Sequence, residues 1–113
     1  MKMKKLNIDG HFFQGPYVLD QDEIPAAAGI ALMCTEAGEG IKIMSVEESS
    51  DLRDAILNCD RKQLWKEKAW KGKVDIYILL MDEPKRERIA ESIADKRRDV
   101  LTCQKPKIIE DDW

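Results

Sequence analysis

Gly29-Ile30-Ala31-Leu32-Met33-Cys34, then Glu36-Ala37-Gly38-Glu39-Gly40, then Ile41-Lys42-Ile43-Met44-Ser45-Val46 is the stretch whose reading decides the fold. The two apolar runs are of strand length, and Gly38 and Gly40 supply backbone freedom between them, so residues 28–34 and 41–46 are expected to pair as a β-hairpin. Because both runs are apolar almost throughout, they predict central strands covered on one face and partly on the other. Ser49-Ser50-Asp51 then offers short side-chain oxygens to cap a helix. Leu52, Ala55, Ile56 and Cys59 follow at the i, i+3, i+4, i+7 spacing of a buried helical face. A helix over about 50–59 is predicted, with Arg53 at the border of that face.

Towards the C-terminus, Asp60 to Trp70 reads as a second helix with Leu64, Trp65 and Ala69 as its apolar stripe, ended by Gly72. Val74 to Met81 is long, β-branched and aromatic, and is expected to be a third strand over 74–81. Pro84 suits the first turn of a helix over about 84–100, where its missing amide costs nothing. Lys105 to Trp113 reads as an extended tail. Towards the N-terminus, Leu6 and Ile8 alternate with polar residues as in an edge strand, Gly15-Pro16 marks a turn, and the segment then reads as a loop. Asp20-Gln21-Asp22-Glu23 is an acidic connector closed by Ile24-Pro25.

The expected architecture is α+β: a small central antiparallel sheet of about three strands (the hairpin and the third strand), flanked by helices. It forms a single domain over 1–113, with 1–27 as an N-terminal extension, 28–101 as the core and 102–113 as a C-terminal tail. Ile30, Leu32, Ile43, Leu52, Ile56, Ile76, Ile78, Ile89 and Ile93 are the predicted interior.

Composition bounds the function classes. The chain has 113 residues, 43% of them hydrophobic and 36% charged, which suits one compact globular core with a solvated exterior. No apolar run approaches the roughly 20 residues that span a bilayer, and the basic start leads into Leu6-Asn7-Ile8-Asp9-Gly10 instead of an apolar signal core, so a cytoplasmic protein without a membrane role is expected. Three cysteines, Cys34, Cys59 and Cys103, are widely spaced and suggest neither disulfides nor a zinc site. With His11 as the single histidine, a metal site built on several imidazoles is excluded.

Strand, turn, strand, helix, short helix, strand, helix is also the element order of the GIY-YIG nuclease fold. Gly29-Ile30-Ala31 resembles the family's first signature tripeptide, and Ile43-Met44-Ser45 stands where the second would be. Arg53 falls near the family's helix arginine, and Glu91, within Ile89-Ala90-Glu91-Ser92-Ile93, resembles its metal-binding glutamate. The resemblance covers residues 28 to about 101. It implies a metal-dependent DNA endonuclease in which Arg53 and Glu91 are catalytic: Arg53 stabilises charge on the scissile phosphate and Glu91 is the metal ligand for Mg2+ or Mn2+.

Other residues depart from that pattern. Ala31 and Ile43 replace both signature tyrosines, Ser45 replaces the second glycine, and no histidine follows Arg53, so a nuclease would need an unusual base such as Tyr77 or His11. Glu47, Glu48, Asp51 and Asp54 would repel a phosphodiester. The expectation is a catalytically degenerate GIY-YIG-like domain acting as a binding or interaction module, with no cofactor and no enzymatic activity. The metal-dependent endonuclease is the alternative.

Charge suggests a third reading. Residues 1–59 hold five Lys/Arg against ten Asp/Glu, residues 60–107 hold fourteen against nine, and residues 108–113 add three acids. A basic second half could meet nucleic acid without cleaving it, through Lys66, Lys68 and Lys71 with Trp65 and Trp70 as stacking platforms. Against this, Lys66 and Lys68 flank Glu67, and Arg86 and Arg88 flank Glu87, the interleaving expected of solvated helix faces. The partner is therefore left open between nucleic acid and protein, with a homodimer through the apolar tail positions Ile108, Ile109 and Trp113 as one arrangement.

Overall fold

The computed structural model describes residues 3–103; the tail expected over 105–113 lies outside the described residues. The elements in order are β1 (Lys4–Ile8), β2 (His11–Val18), β3 (Gly29–Ala37), β4 (Gly40–Ser49), α1 (Leu52–Leu57), α2 (Lys62–Lys68), a 3-10 turn (Trp70–Gly72), β5 (Asp75–Leu80) and α3 (Lys85–Asp95).

The strands form one antiparallel sheet in the order β1-β2-β5-β3-β4, curved into a half-barrel. This corrects the expected sheet of about three strands. The predicted hairpin is present as β3–β4, β5 is the third strand and β1 is the expected edge strand, but the loop expected after it is strand β2, so residues 4–18 are more than an edge strand and a loop. They are a second hairpin, whose β2 pairs with β5 through Gln14 opposite Ile78 and Val18 opposite Asp75.

The signal for that hairpin is Asp9-Gly10. Ile8 pairs with His11, leaving a two-residue loop whose residues take φ of 54° and 84°. Positive φ at both central positions is what the right-handed twist of a tight hairpin demands, and Asp-Gly meets it at low cost. Asn7 Oδ1 accepts the Gly10 amide at 3.0 Å. Gly15-Pro16 does not end the strand, because a register shift between Gln14 and Tyr17 takes up the residue that lacks an N–H. A Cβ at Gly15 would sit 2.6 Å from the Ile76 carbonyl oxygen and 2.8 Å from Tyr77 Cδ2. Glycine is there because the central strand and the Tyr77 ring come so close.

Alternation along β3 divides the interior into two clusters. Ala31 and Met33 pack with Met44, Leu52, Ile56, Trp65, Val74, Ile76 and Ile78 under α1 and α2. Ile30, Leu32 and Cys34 point the other way and pack with Phe13, Val46, Tyr77, Ala90, Ile93 and Ala94 under α3. The sheet is thus the middle layer between helices, which is why β3 is buried from Gly29 to Thr35. Of the predicted interior, Ile43 and Ile89 are only partly buried; the other seven are buried. Phe12 and Leu80 remain exposed, on the α1/α2 side by strand alternation.

The helices are shorter than their sequence patterns suggest. Asp51 caps α1, its carboxylate accepting the Asp54 amide at 3.2 Å. After α2 the chain reverses through Lys71 (φ 55°) and Gly72 (φ 71°), so Trp70 leaves the helix. The Trp70 amide donates to Thr35 Oγ1 at 2.7 Å instead.

Candidate binding groove

Arg53 and Glu91 are not brought together. Arg53 projects from α1, whose Leu52 and Ile56 belong to one face of the sheet, whereas α3 covers the other face with Ala90, Ile93 and Ala94. The Arg53 guanidinium is engaged locally: Nε donates to the Ile24 carbonyl at 2.7 Å and Nη2 to Glu23 Oε1 at 2.9 Å. It therefore fastens the Asp20–Ile24 connector. The open cleft beside it, about 420 Å³, is also lined by Asp20, Asp22 and Glu23, a surface that repels phosphate. Glu91 lies on the exposed side of α3.

Among the described residues no three His, Cys, Asp or Glu side chains lie close enough together to hold a metal ion. Glu91 belongs to no such cluster among the described residues.

The three lysines differ in commitment. Lys66 joins Lys62 in gripping the Asp20 carboxylate, Lys62 Nζ at 2.8 Å from Oδ1, and these hydrogen bonds hold the Asp20 carboxyl below the usual carboxylate range. Lys71 Nζ lies 4.5 Å from the centroid of its neighbour Trp70. Lys68 is exposed at the end of α2. Trp65 is 0% exposed and cannot stack on a base; Trp70 is 52% exposed. Tyr77, offered by sequence as an unusual base, is buried, and burial pushes its hydroxyl up from the ordinary tyrosine value. Burial likewise pushes the Cys34 thiol up to about 12, away from nucleophilic use.

His11 is placed differently, lining a cleft of about 310 Å³ between the β1–β2 turn and α3. Arg88, Ser92 and Lys96 line it from α3 at i, i+4, i+8, one stripe of the helix, while Ile89 and Ile93 supply apolar surface. Asp9, on the hairpin side, is already paired. Both its oxygens accept from Arg97, at 2.8 and 2.9 Å, and Lys96 Nζ is 3.8 Å away. Arg97 holds the Asp9 carboxyl below the usual range, and the pair clamps the hairpin turn to the end of α3.

Charge on α3 is sorted by face. Arg86 points inward, its side chain 5% exposed, with Nε donating to Glu48 Oε2 at 2.8 Å and Nη2 to Glu83 Oε1 at 2.9 Å. Glu87, Glu91 and Asp95 occupy a second exposed stripe about 100° from Arg88, Ser92 and Lys96. Sequence reasoning saw Arg86, Glu87 and Arg88 as interleaved; the helix separates them. The signals for this groove were Arg88-x3-Ser92-x3-Lys96 and the Asp9-Gly10 turn that brings His11 alongside.

In comparisons with known proteins, no family model, no curated sequence and no solved structure matches this chain.

Proposed function

We propose that the chain is a binding module without nuclease chemistry, catalytically degenerate with respect to the GIY-YIG resemblance. The observation that supports this reading is the separation of Arg53 from Glu91 by the thickness of the sheet, with Arg53 hydrogen-bonded to Ile24 and Glu23. Phosphodiester hydrolysis needs a nucleophile, a Lewis acid and a countercharge at one place. Here the residues assigned to those roles face different surfaces.

The nucleic-acid reading through Lys66, Lys68 and Lys71 has less support. Lys66 is tied to Asp20, and Trp65 is internal. What remains is Lys68 and Lys71 beside Trp70, too few cations for the steep salt dependence of polyanion binding.

The test is a cleavage assay with Mg2+ or Mn2+ on single-stranded, duplex and branched DNA. The substrates are expected to stay intact. Metal-dependent nicking that disappears in a folded Glu91→Ala variant would overturn the reading.

A further inference from the structure

We infer that the groove between α3 and the β1–β2 turn takes a short acidic peptide segment with adjacent aliphatic residues. The inference rests on the binding-module reading and gives that module a ligand class. Arg88 and Lys96 stand two turns apart on one stripe, about 12 Å along the helix axis, with Ser92 between them and partly buried Ile89 beside them. Asp9, the acidic side chain lining the cleft, is neutralised by Arg97. The groove therefore presents Arg88 to a ligand, with Lys96 loosely held at 3.8 Å from an Asp9 carboxylate whose two-pronged partner is Arg97.

An extended peptide advances about 3.3 Å per residue, so carboxylates three or four residues apart reach Arg88 and Lys96 together. An arginine fork can hold a carboxylate through two N–H donors, which fixes orientation as well as charge. Aliphatic side chains from the same peptide find Ile89 and the edge of Ile93. The volume, about 310 Å³, lies at the small end of ligand sites and admits a few side chains.

A nucleic-acid backbone fits less well. Its charge is continuous and calls for cations along its whole length, whereas the cleft offers Arg88 and Lys96. A short peptide with two carboxylates matches that pair.

A fluorescent peptide with a glutamate and an aspartate four residues apart and aliphatic residues between them would be titrated into the full chain and into the double variant Arg88→Glu/Lys96→Glu, with the site mapped by amide chemical shifts. Saturable binding is expected, weakening with salt, shifting His11, Ile89 and Ser92, and falling roughly five- to tenfold in the double variant. A peptide with Gln and Asn replacing its acids should bind weakly. If the double variant loses its fold, Ile89→Asp gives the same loss expected of a groove ligand.

Absence of saturable binding to the folded protein would overturn the inference, as would binding that neither variant weakens. So would a single-stranded oligonucleotide that shifts the same residues at lower concentration than the peptide. A failed peptide titration with no DNA cleavage removes this inference alone. Metal-dependent cleavage removes the reading beneath it.

Discussion

The two faces of the sheet use their cations in opposite ways. Under α1 and α2, charge is consumed by structure: Arg53 holds the Asp20–Ile24 connector, Lys62 and Lys66 close on Asp20, and Arg61 makes a two-pronged pair with Glu47 while Nη1 also donates to the Cys103 carbonyl at 3.0 Å. Beside α3, Arg86 and Arg97 do the structural work, while Arg88, and Lys96 at 3.8 Å from Asp9, line an open groove. The difference teaches that a count of basic residues says little about a binding surface. What matters is which cations have already found a carboxylate or carbonyl.

The largest effect should come from the closed face. Trp65→Ala removes a fully buried indole and should cost about 3–5 kcal/mol, read as a fall in the urea midpoint with unchanged slope. Ile89→Ala, at the partly buried rim of the groove, should cost clearly less. Equal losses would end the contrast between a sealed and an open face.

Next is the pair that ties α2 to β4. The Arg61 and Glu47 side chains are 18% and 14% exposed, so Arg61→Ala leaves a poorly hydrated carboxylate and should cost about 2–3 kcal/mol. Arg88→Ala should change stability by less than about 0.5 kcal/mol, because this exposed residue of the groove forms no ion pair among the described residues. A destabilisation by Arg88→Ala comparable with that of Arg61→Ala would mark Arg88 as structural.

Asp75 tests the sheet between the faces. It is 5% exposed, its Oδ1 accepts no hydrogen bond, and Lys73 Nζ approaches only to 3.9 Å. Burial raises its pKa above the ordinary aspartate value. The folded state therefore holds this proton more tightly than the unfolded chain. The penalty is absent below the unfolded pKa of about 3.9 and grows as pH rises from there through the folded value. Asp75→Asn should raise stability at pH 7 by roughly 1 kcal/mol and flatten that part of the profile. A loss at neutral pH would show a partner that the carboxylate needs.

The smallest effect concerns Asp9, with the opposite sign. Arg97 lowers its pKa, so its contribution is present above about pH 3.9 and is lost as pH falls through the folded value. Asp9→Asn should cost about 0.5 kcal/mol at pH 7 and nothing well below pH 3. An unchanged stability at pH 7 would detach the hairpin clamp from the groove's architecture.

Residue order was enough to determine the local elements whose signals are local. The β3–β4 hairpin, α1 with its Asp51 cap, the central β5 and the start of α3 all follow from apolar periodicity and capping chemistry within a few residues. The β1–β2 hairpin was legible too, at Asp9-Gly10, but Gly15-Pro16 read as a turn because the reason for that glycine, the Tyr77 ring of β5, is sixty residues away in the chain. Only the tertiary structure decided how many strands join the sheet, since pairing β2 with β5 requires the two to meet. It also decided that Arg53 and Glu91 face apart and that Arg88, Lys96 and His11 converge. The physical reason is the same in each case: periodicity says which side of an element is apolar, whereas the partner of a charged side chain depends on which distant elements are packed against it.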